Sequence, residues 1–370
     1  MSYTEWYCSS LGLQSLVDMD PIRLAENAAM TRNNTLNIEH ARDLGIEEDV
    51  LEEWFYGLEL AGHEAAPHYN IPDYPSVQCN PVEAAKELDR LTAAGKIYWF
   101  DFDAVPADLD IGPTTPILMG TRARLVHDWT RAGLNQHLVS PATNFHTMDD
   151  FVNTLRPSAH MAGLDIRDCF FHWPIAEGSR RRLGARHPVT GQAGVYLFLP
   201  PGLSAAPGHN ERFVERAVRA ASKDLQLNIT RFVDDLRCTN KVALSPNEDK
   251  ALLDVQLRCL KHNLERLGIQ VHDKPGKVIP ASTSIDWLGW KVSTTELTVE
   301  LTAEKREKGL KLCMDALQRH WASQPITSKQ LMSLVGFLNF ITGVIKQARP
   351  YLRASYQSLA VTQVFAAWQL

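Results

Sequence analysis

Cysteine is scarce in this 370-residue chain, and badly spaced for chemistry. Its six cysteines (Cys8, Cys79, Cys169, Cys238, Cys259 and Cys313) include no Cys-x-x-Cys pair. Neither a zinc site nor a disulfide framework is indicated. No apolar run is long enough to span a membrane, and no signal peptide opens the chain. An intracellular, reduced protein is expected, cytoplasmic or nuclear. No internal repeat is present. Net charge is small, −5, but unevenly spread. Residues 1–110 hold 21 acidic and 6 basic residues, a net of −15, and the remaining 260 hold 22 and 32, a net of +10. An acidic segment ahead of a basic body suits a polyanion binder with an appended region.

What is present is most concentrated at Phe232-Val233-Asp234-Asp235. Alternating apolar residues on both sides, Leu227–Val233 and Leu236–Val242, predict two short strands, with the Asp pair at the bend. Two carboxylates on one tight turn repel, and a hard divalent cation would relieve that repulsion. Taken alone, Asp-Asp in a turn is usually a solvated loop. Upstream, Met161–Ile175 is an apolar segment interrupted by Asp165 and Asp168. A third carboxylate at the end of a buried strand would complete a two-metal site for phosphoryl chemistry. Between these stretches, Leu199-Pro200-Pro201-Gly202-Leu203-Ser204 forms a loop in which Gly202 lets the backbone approach a ligand.

In this order the stretches resemble the palm of a reverse transcriptase, and most nearly those of retrotransposons of the long-terminal-repeat or tyrosine-recombinase kind. Asp165 stands in the first catalytic motif. Leu199–Ser204 resembles the Leu-Pro-x-Gly loop, and Phe232–Asp235 the Tyr-x-Asp-Asp box. Asp286-Trp287-Leu288-Gly289-Trp290 resembles the primer-grip hairpin. Arg122–Trp129 with Leu134-Asn135 resembles a fingers strand carrying a triphosphate-binding Arg. The resemblance covers roughly residues 80–355. Phe232 in place of Tyr and Pro201 in place of Gln or Phe depart from the pattern, and neither removes a metal ligand.

The resemblance implies an RNA-directed DNA polymerase that takes an RNA template, a DNA primer and deoxynucleotides. Its cofactor would be two Mg²⁺ ions, with Mn²⁺ as an alternative, held by Asp165, Asp234 and Asp235. Arg124, or its neighbour Arg122, would contact the triphosphate. Asp168, Phe170, Pro201, Gly202 and Phe232 would line the nucleotide site, with Phe170 blocking a ribose 2′-hydroxyl. Trp287, Leu288, Gly289 and Trp290 would hold the primer end, unless the indoles are core. Arg181, in the run Arg180–Arg182, would touch template phosphates, unless the run is a solvated face. Lys274, or alternatively Lys277, would protonate the leaving pyrophosphate. The competing function is a domesticated or degenerate nucleic-acid-binding protein that keeps the polymerase fold without efficient catalysis.

The fold class expected is α+β, a polymerase right hand with fingers, an antiparallel palm sheet backed by helices, and a helical thumb. Expected bounds are an acidic extension over 1–75, partly disordered or in short helices, then fingers over 76–160. The palm follows over 161–300, and the thumb with the start of a connection over 301–370. No RNase H domain is expected within the few residues after position 360. Capping boxes are expected at Asn80–Glu83, Ser245–Glu248 and Thr327–Gln330, and a helix over Ala303–Ser323.

Overall fold

A computed structural model of the chain describes residues 20–119, 122–353 and 356–357, with the side chains at 118, 119 and 122–124 outside the described set. Cys8 therefore lies outside the described residues. The architecture mixes helices with antiparallel sheets, and the chain divides into two compact units that interleave in sequence. The first comprises residues 1–144, 166–224 and 260–272; the second comprises 145–165, 225–259 and 273–370.

In the second unit a four-stranded sheet has the order β7-β8-β4-β9. Its strands are β4 (Met161–Asp165), β7 (Leu227–Phe232), β8 (Asp235–Asn240) and β9 (Ile279–Ser282), all antiparallel. Every residue of β4 is buried, which explains its unbroken apolar reading up to Asp165. The β7–β8 register ends on Phe232 opposite Asp235. The bend is therefore Val233-Asp234, and Asp235 is the first residue of β8. This corrects the expected Asp-Asp bend. Val233 takes φ +59°, a conformation that β-branched residues rarely adopt. Such strain persists only where its surroundings impose it.

A second sheet, β10 (Ser284–Trp287), β11 (Trp290–Ser293) and β12 (Thr298–Leu301), is a meander. Leu288 and Gly289 make its first turn, both at positive φ. Trp287, Trp290, Ile285 and Val292 form one apolar core with Met148, Phe151 and Met161. The Ala303–Trp321 and Ser328–Thr342 helices follow. The Thr327–Gln330 capping box is present with both of its hydrogen bonds. At Ser245 the Glu248 carboxylate accepts from both the backbone N–H and the hydroxyl. The Pro246–Arg266 helix is tied to the sheet through Gln256, whose amide donates to Asn240 Oδ1 at 2.7 Å.

The first unit holds two smaller sheets, β1-β6-β5 (Ile97–Trp99, Ala193–Tyr196, Gly184–Arg186) and the hairpin β2-β3 (Thr114–Met119, Arg122–His127). The Pro81–Ala93 helix begins where expected, but Asn80 makes no side-chain cap. Another helix, Pro75–Cys79, runs straight into it, so the Asn80 amide turns back to the Ser76 carbonyl and Glu83 pairs with Lys86.

The acidic segment is built into this unit rather than appended to it. Helices Pro21–Asn33, Ile38–Asp43 and Glu48–Tyr56 bury Met30, Leu51 and Trp54. Trp54 packs against Trp173 and Phe213, with ring centroids 5.6 and 6.4 Å away. Its acids pair with arginines from far along the chain: Glu26 with Arg181, Glu53 with Arg212, and Glu47 with Arg216 and Arg219. Part of the charge asymmetry is thereby neutralised internally.

Candidate active site

The structure brings Asp165, Asp234 and Asp235 to one end of the four-stranded sheet. Asp165 closes β4 and stands in register with Asp235 at the start of β8, and Asp234 occupies the adjoining bend. Two cations meet them. Lys277 Nζ lies 2.5 Å from Asp165 Oδ2, and Arg237 Nη1 lies 2.5 Å from Asp235 Oδ1. Burial, then the neighbouring Asp165 charge, pushes the Asp234 carboxyl above the usual carboxylate range. Burial also raises Asp235, with Arg237 opposing. The hydrogen bond to Asp165 raises the Lys277 ammonium, which stays protonated at neutral pH. Clustered carboxylates with elevated affinity for protons are the environment in which a hard cation replaces a proton.

The donor set suits a divalent ion, since all three groups are carboxylates and their mutual repulsion is only partly relieved by two cationic side chains. The oxygens do not yet converge. Among the described residues, only Glu59, His63 and Glu64 have ligand atoms that all lie within 4.8 Å of one another. That group is an unconvincing metal site, because His63 Nδ1 is 2.9 Å from the Leu60 carbonyl and is best read as its donor.

Phe232, 36 % exposed, sits beside Phe145, with ring centroids 5.5 Å apart. The backbone N–H of Arg231 donates to His146 Nδ1 at 3.0 Å and so occupies the outer edge of β7. Trp287 and Trp290 are buried in the apolar core, at 2 and 3 % exposure. They are not a stacking surface, which corrects the primer-holding role expected of them. On that hairpin the turn Leu288-Gly289 is half-buried, and Asp286 and Lys291 are exposed. Lys274 is exposed, and its carbonyl accepts from the Lys277 and Val278 N–H groups. The lysine that meets the carboxylates is Lys277, not Lys274.

The remaining expected residues belong to the first unit. Arg122 and Arg124 lie on β3, and their side chains are outside the described set. Asp168 adopts φ +47° and accepts from Arg90 at 2.8 and 3.1 Å. It opens the short 3₁₀ turn Cys169–His172, in which Phe170 is partly exposed and Phe171 is buried. Gly202, at φ +100°, has room for no Cβ, which would fall 2.8 Å from the His127 carbonyl. Here the glycine serves close packing of the chain on itself. Asn135 holds that loop, donating to the Gly202 carbonyl at 3.0 Å and accepting from the Ser204 N–H at 2.8 Å. Pro201 is half-buried beside it.

Arg181 is 6 % exposed and paired with Glu26 at 2.5 Å. Arg180 and Arg182 are buried as well, with Arg182 on Asp110. The basic run is therefore neither a solvated face nor a template-contacting one, because acids from the N-terminal half hold it inside. Sequence reasoning missed Arg90, Arg237 and Lys96. The Lys96 ammonium lies over the Phe198 ring and is lowered to about 8 by burial, with Asp168 opposing. Arg90 meets Asp168 and Lys96 meets Phe198 from far along the chain, whereas Arg237 lies only two residues from Asp235 on the same strand.

A buried strand ending in Asp165 thus pairs with a hairpin that carries Asp234 at its bend and Asp235 at the start of its second strand. Residues 116–292 match the family model described as reverse transcriptase (RNA-dependent DNA polymerase). Members of that family generally use divalent metal ions. Among solved structures, the chain is similar to the foamy viral protease-reverse transcriptase dRH in complex with double-stranded DNA (TM-score 0.58, 16 % identity, 87 % of this chain and 55 % of that one). It is also similar to the foamy viral protease-reverse transcriptase with double-stranded DNA (TM-score 0.54, 17 % identity, 82 % and 61 %). The complex of that protein with an RNA/DNA hybrid is likewise similar (TM-score 0.57, 17 % identity, 90 % and 42 %). The chain thus spans 42 to 61 % of the length of these solved chains. None of the curated proteins matches it. Among the described residues, no helix is long and apolar enough to cross a membrane.

Proposed function

We propose that the chain is an RNA-directed DNA polymerase of retrotransposon origin, acting inside the cell on an RNA template, a DNA primer and deoxynucleoside triphosphates. The observation that carries this reading is the placement of Asp165 against Asp235, beside the strained Val233-Asp234 bend. The right-hand division is retained as part of the proposal: fingers over 76–160, palm over 161–300 and thumb over 301–370.

In the reaction, the primer 3′-hydroxyl attacks the α-phosphorus of the deoxynucleotide, a new phosphodiester bond forms, and pyrophosphate leaves. Asp165 and Asp234 would hold the divalent cations, Mg²⁺ in the cell with Mn²⁺ as a substitute. Bound there, the ions supply activation of the attacking hydroxyl and neutralisation of charge on the leaving oxygen. Asp235, paired with Arg237, supports the other two carboxylates. Lys277, protonated and beside Asp165, would give its proton to the departing pyrophosphate. Phe170 stands on the turn after Asp168, where an aromatic ring would exclude a 2′-hydroxyl. Long-terminal-repeat and tyrosine-recombinase elements share the Leu199–Ser204 form, and both fit the reading. The test is primer extension on an RNA template with and without Mg²⁺. Extension that needs the metal supports the proposal; binding of the duplex without any extension favours the degenerate binding protein.

A further inference from the structure

Gly163 and Arg237 face each other across the β4–β8 ladder. Arg237 is 5 % exposed and lies on an inner strand of the four-stranded sheet. A strand interior normally takes branched apolar residues at such positions, and a buried charge is costly unless paired and hydrogen-bonded. Here one strand departs from that habit with a charge and its partner departs with a missing side chain, in register. A Cβ on Gly163 would stand 2.7 Å from Arg237 Nη1, 3.0 Å from the Leu236 carbonyl and 3.2 Å from Arg237 Cδ. Only glycine lets the arginine lie flat across β4.

The guanidinium has three acceptors. Nη1 donates to Asp235 Oδ1 at 2.5 Å and to the Leu236 carbonyl at 3.0 Å, while Nη2 reaches the Asp286 carbonyl in β10 at 3.4 Å. One planar group thus touches a carboxylate of the candidate site and the hairpin whose tip is Leu288-Gly289. We propose that Arg237, seated over Gly163, is a positioning residue that fixes the Asp235 carboxylate and latches it to the β10–β11 hairpin. This rests on the polymerase reading of the site. With Oδ1 of Asp235 committed to the guanidinium, Asp165 and Asp234 carry the cation, and Asp235 sets the charge and geometry behind them.

The test compares the full-length chain with Arg237→Leu, Arg237→Lys and Gly163→Ala. Two readouts are used: single-nucleotide extension kinetics, and Mn²⁺ binding by electron paramagnetic resonance without substrate. Arg237→Leu is expected to lower kcat about 10²-fold, the scale of a small misplacement of a reacting group, with KM for the deoxynucleotide nearly unchanged. It should at the same time tighten Mn²⁺ binding about threefold or more, because Asp235 loses its resident counter-charge. Arg237→Lys keeps the charge without the fork, so it should restore Mn²⁺ affinity and only part of kcat. Gly163→Ala should reproduce the kcat loss by displacing the guanidinium, and should add nothing in the Arg237→Leu background.

Unchanged kcat in Arg237→Leu overturns the proposal, and so does a joint fall of kcat and Mn²⁺ affinity, which marks simple loss of structure. Additive losses for Gly163→Ala and Arg237→Leu overturn it as well. If Arg237→Leu does not fold, the other two variants decide by the same criteria. If the unaltered chain extends no primer, the polymerase reading fails on its own, and the Mn²⁺ comparison still judges the latch.

Discussion

Lys277 Nζ lies 2.5 Å from Asp165 Oδ2, three residues beyond the exposed Lys274. The pairing separates two lysines that sequence alone left interchangeable. Lys277→Met is expected to slow nucleotide addition about 10²- to 10⁴-fold, the usual range for a lost general acid. Lys274→Met should stay near the unaltered rate. Rapid-quench kinetics on both variants check this. Equal effects would detach Lys277 from proton transfer.

Asp234→Asn should lower extension by about 10³-fold or more, because an amide cannot neutralise a cation. The same change should stabilise the metal-free chain at neutral pH. Burial and Asp165 raise the folded-state pKa of Asp234 above its unfolded value. The folded chain therefore binds that proton more tightly, so stability is greatest with the proton on and falls as pH rises from the unfolded value through the folded one. Thermal melts without metal should show the variant melting higher at pH 7, with the gap closing towards pH 4. A variant that melts lower at pH 7 would remove the electrostatic argument.

Phe170 and Phe171 are neighbours with different environments, one partly exposed and one 7 % exposed. Phe170→Ala should leave stability nearly intact and raise ribonucleotide incorporation relative to deoxynucleotide. Phe171→Ala should cost about 3–5 kcal/mol, as for other buried aromatics, without a specific change in sugar choice. Incorporation ratios and urea melts on both variants decide. An unchanged ratio in Phe170→Ala makes that ring a packing residue.

Glu26→Ala and Arg181→Ala should each destabilise the chain by about 3–5 kcal/mol, since each leaves an uncompensated buried charge. Replacing both with Met should recover much of that loss. Duplex affinity of the folded Arg181→Ala protein should match the unaltered chain; a selective loss of affinity would return Arg181 to the template surface. By the same logic, deletion of residues 1–75 removes Trp54 from the first unit's core and takes Glu26 from Arg181, Glu53 from Arg212, and Glu47 from Arg216 and Arg219. The truncated chain should fail to melt cooperatively.

The carboxylate site was readable because its signals are local. Alternation in Leu227–Phe232 and Asp235–Asn240 marks the hairpin, and the apolar run into Asp165 marks a buried strand. The bend lies one position earlier than the expected Asp234-Asp235, because Asp is the better turn former on propensity while register put Val233 in the left-handed region. Long-range pairing was not readable. Arg180–Arg182 looks like a solvated patch until Glu26, 155 positions away, is seen beside Arg181. Trp287 and Trp290 have the spacing of a hairpin flank, and nothing local distinguishes an indole facing the core from one facing a ligand. Asn80 fits a cap by residue type, but a helix ending at Cys79 already occupied its amide.

The interleaving of the two units bears on how the chain is made. The polypeptide passes from one unit to the other five times, and the first unit receives its last segment, residues 260–272, only after two segments of the second have been synthesised. A ribosome producing this chain therefore cannot release one finished unit before starting the next, as happens when domains follow one another in sequence. Acidic helices formed early must wait for arginines more than a hundred residues downstream.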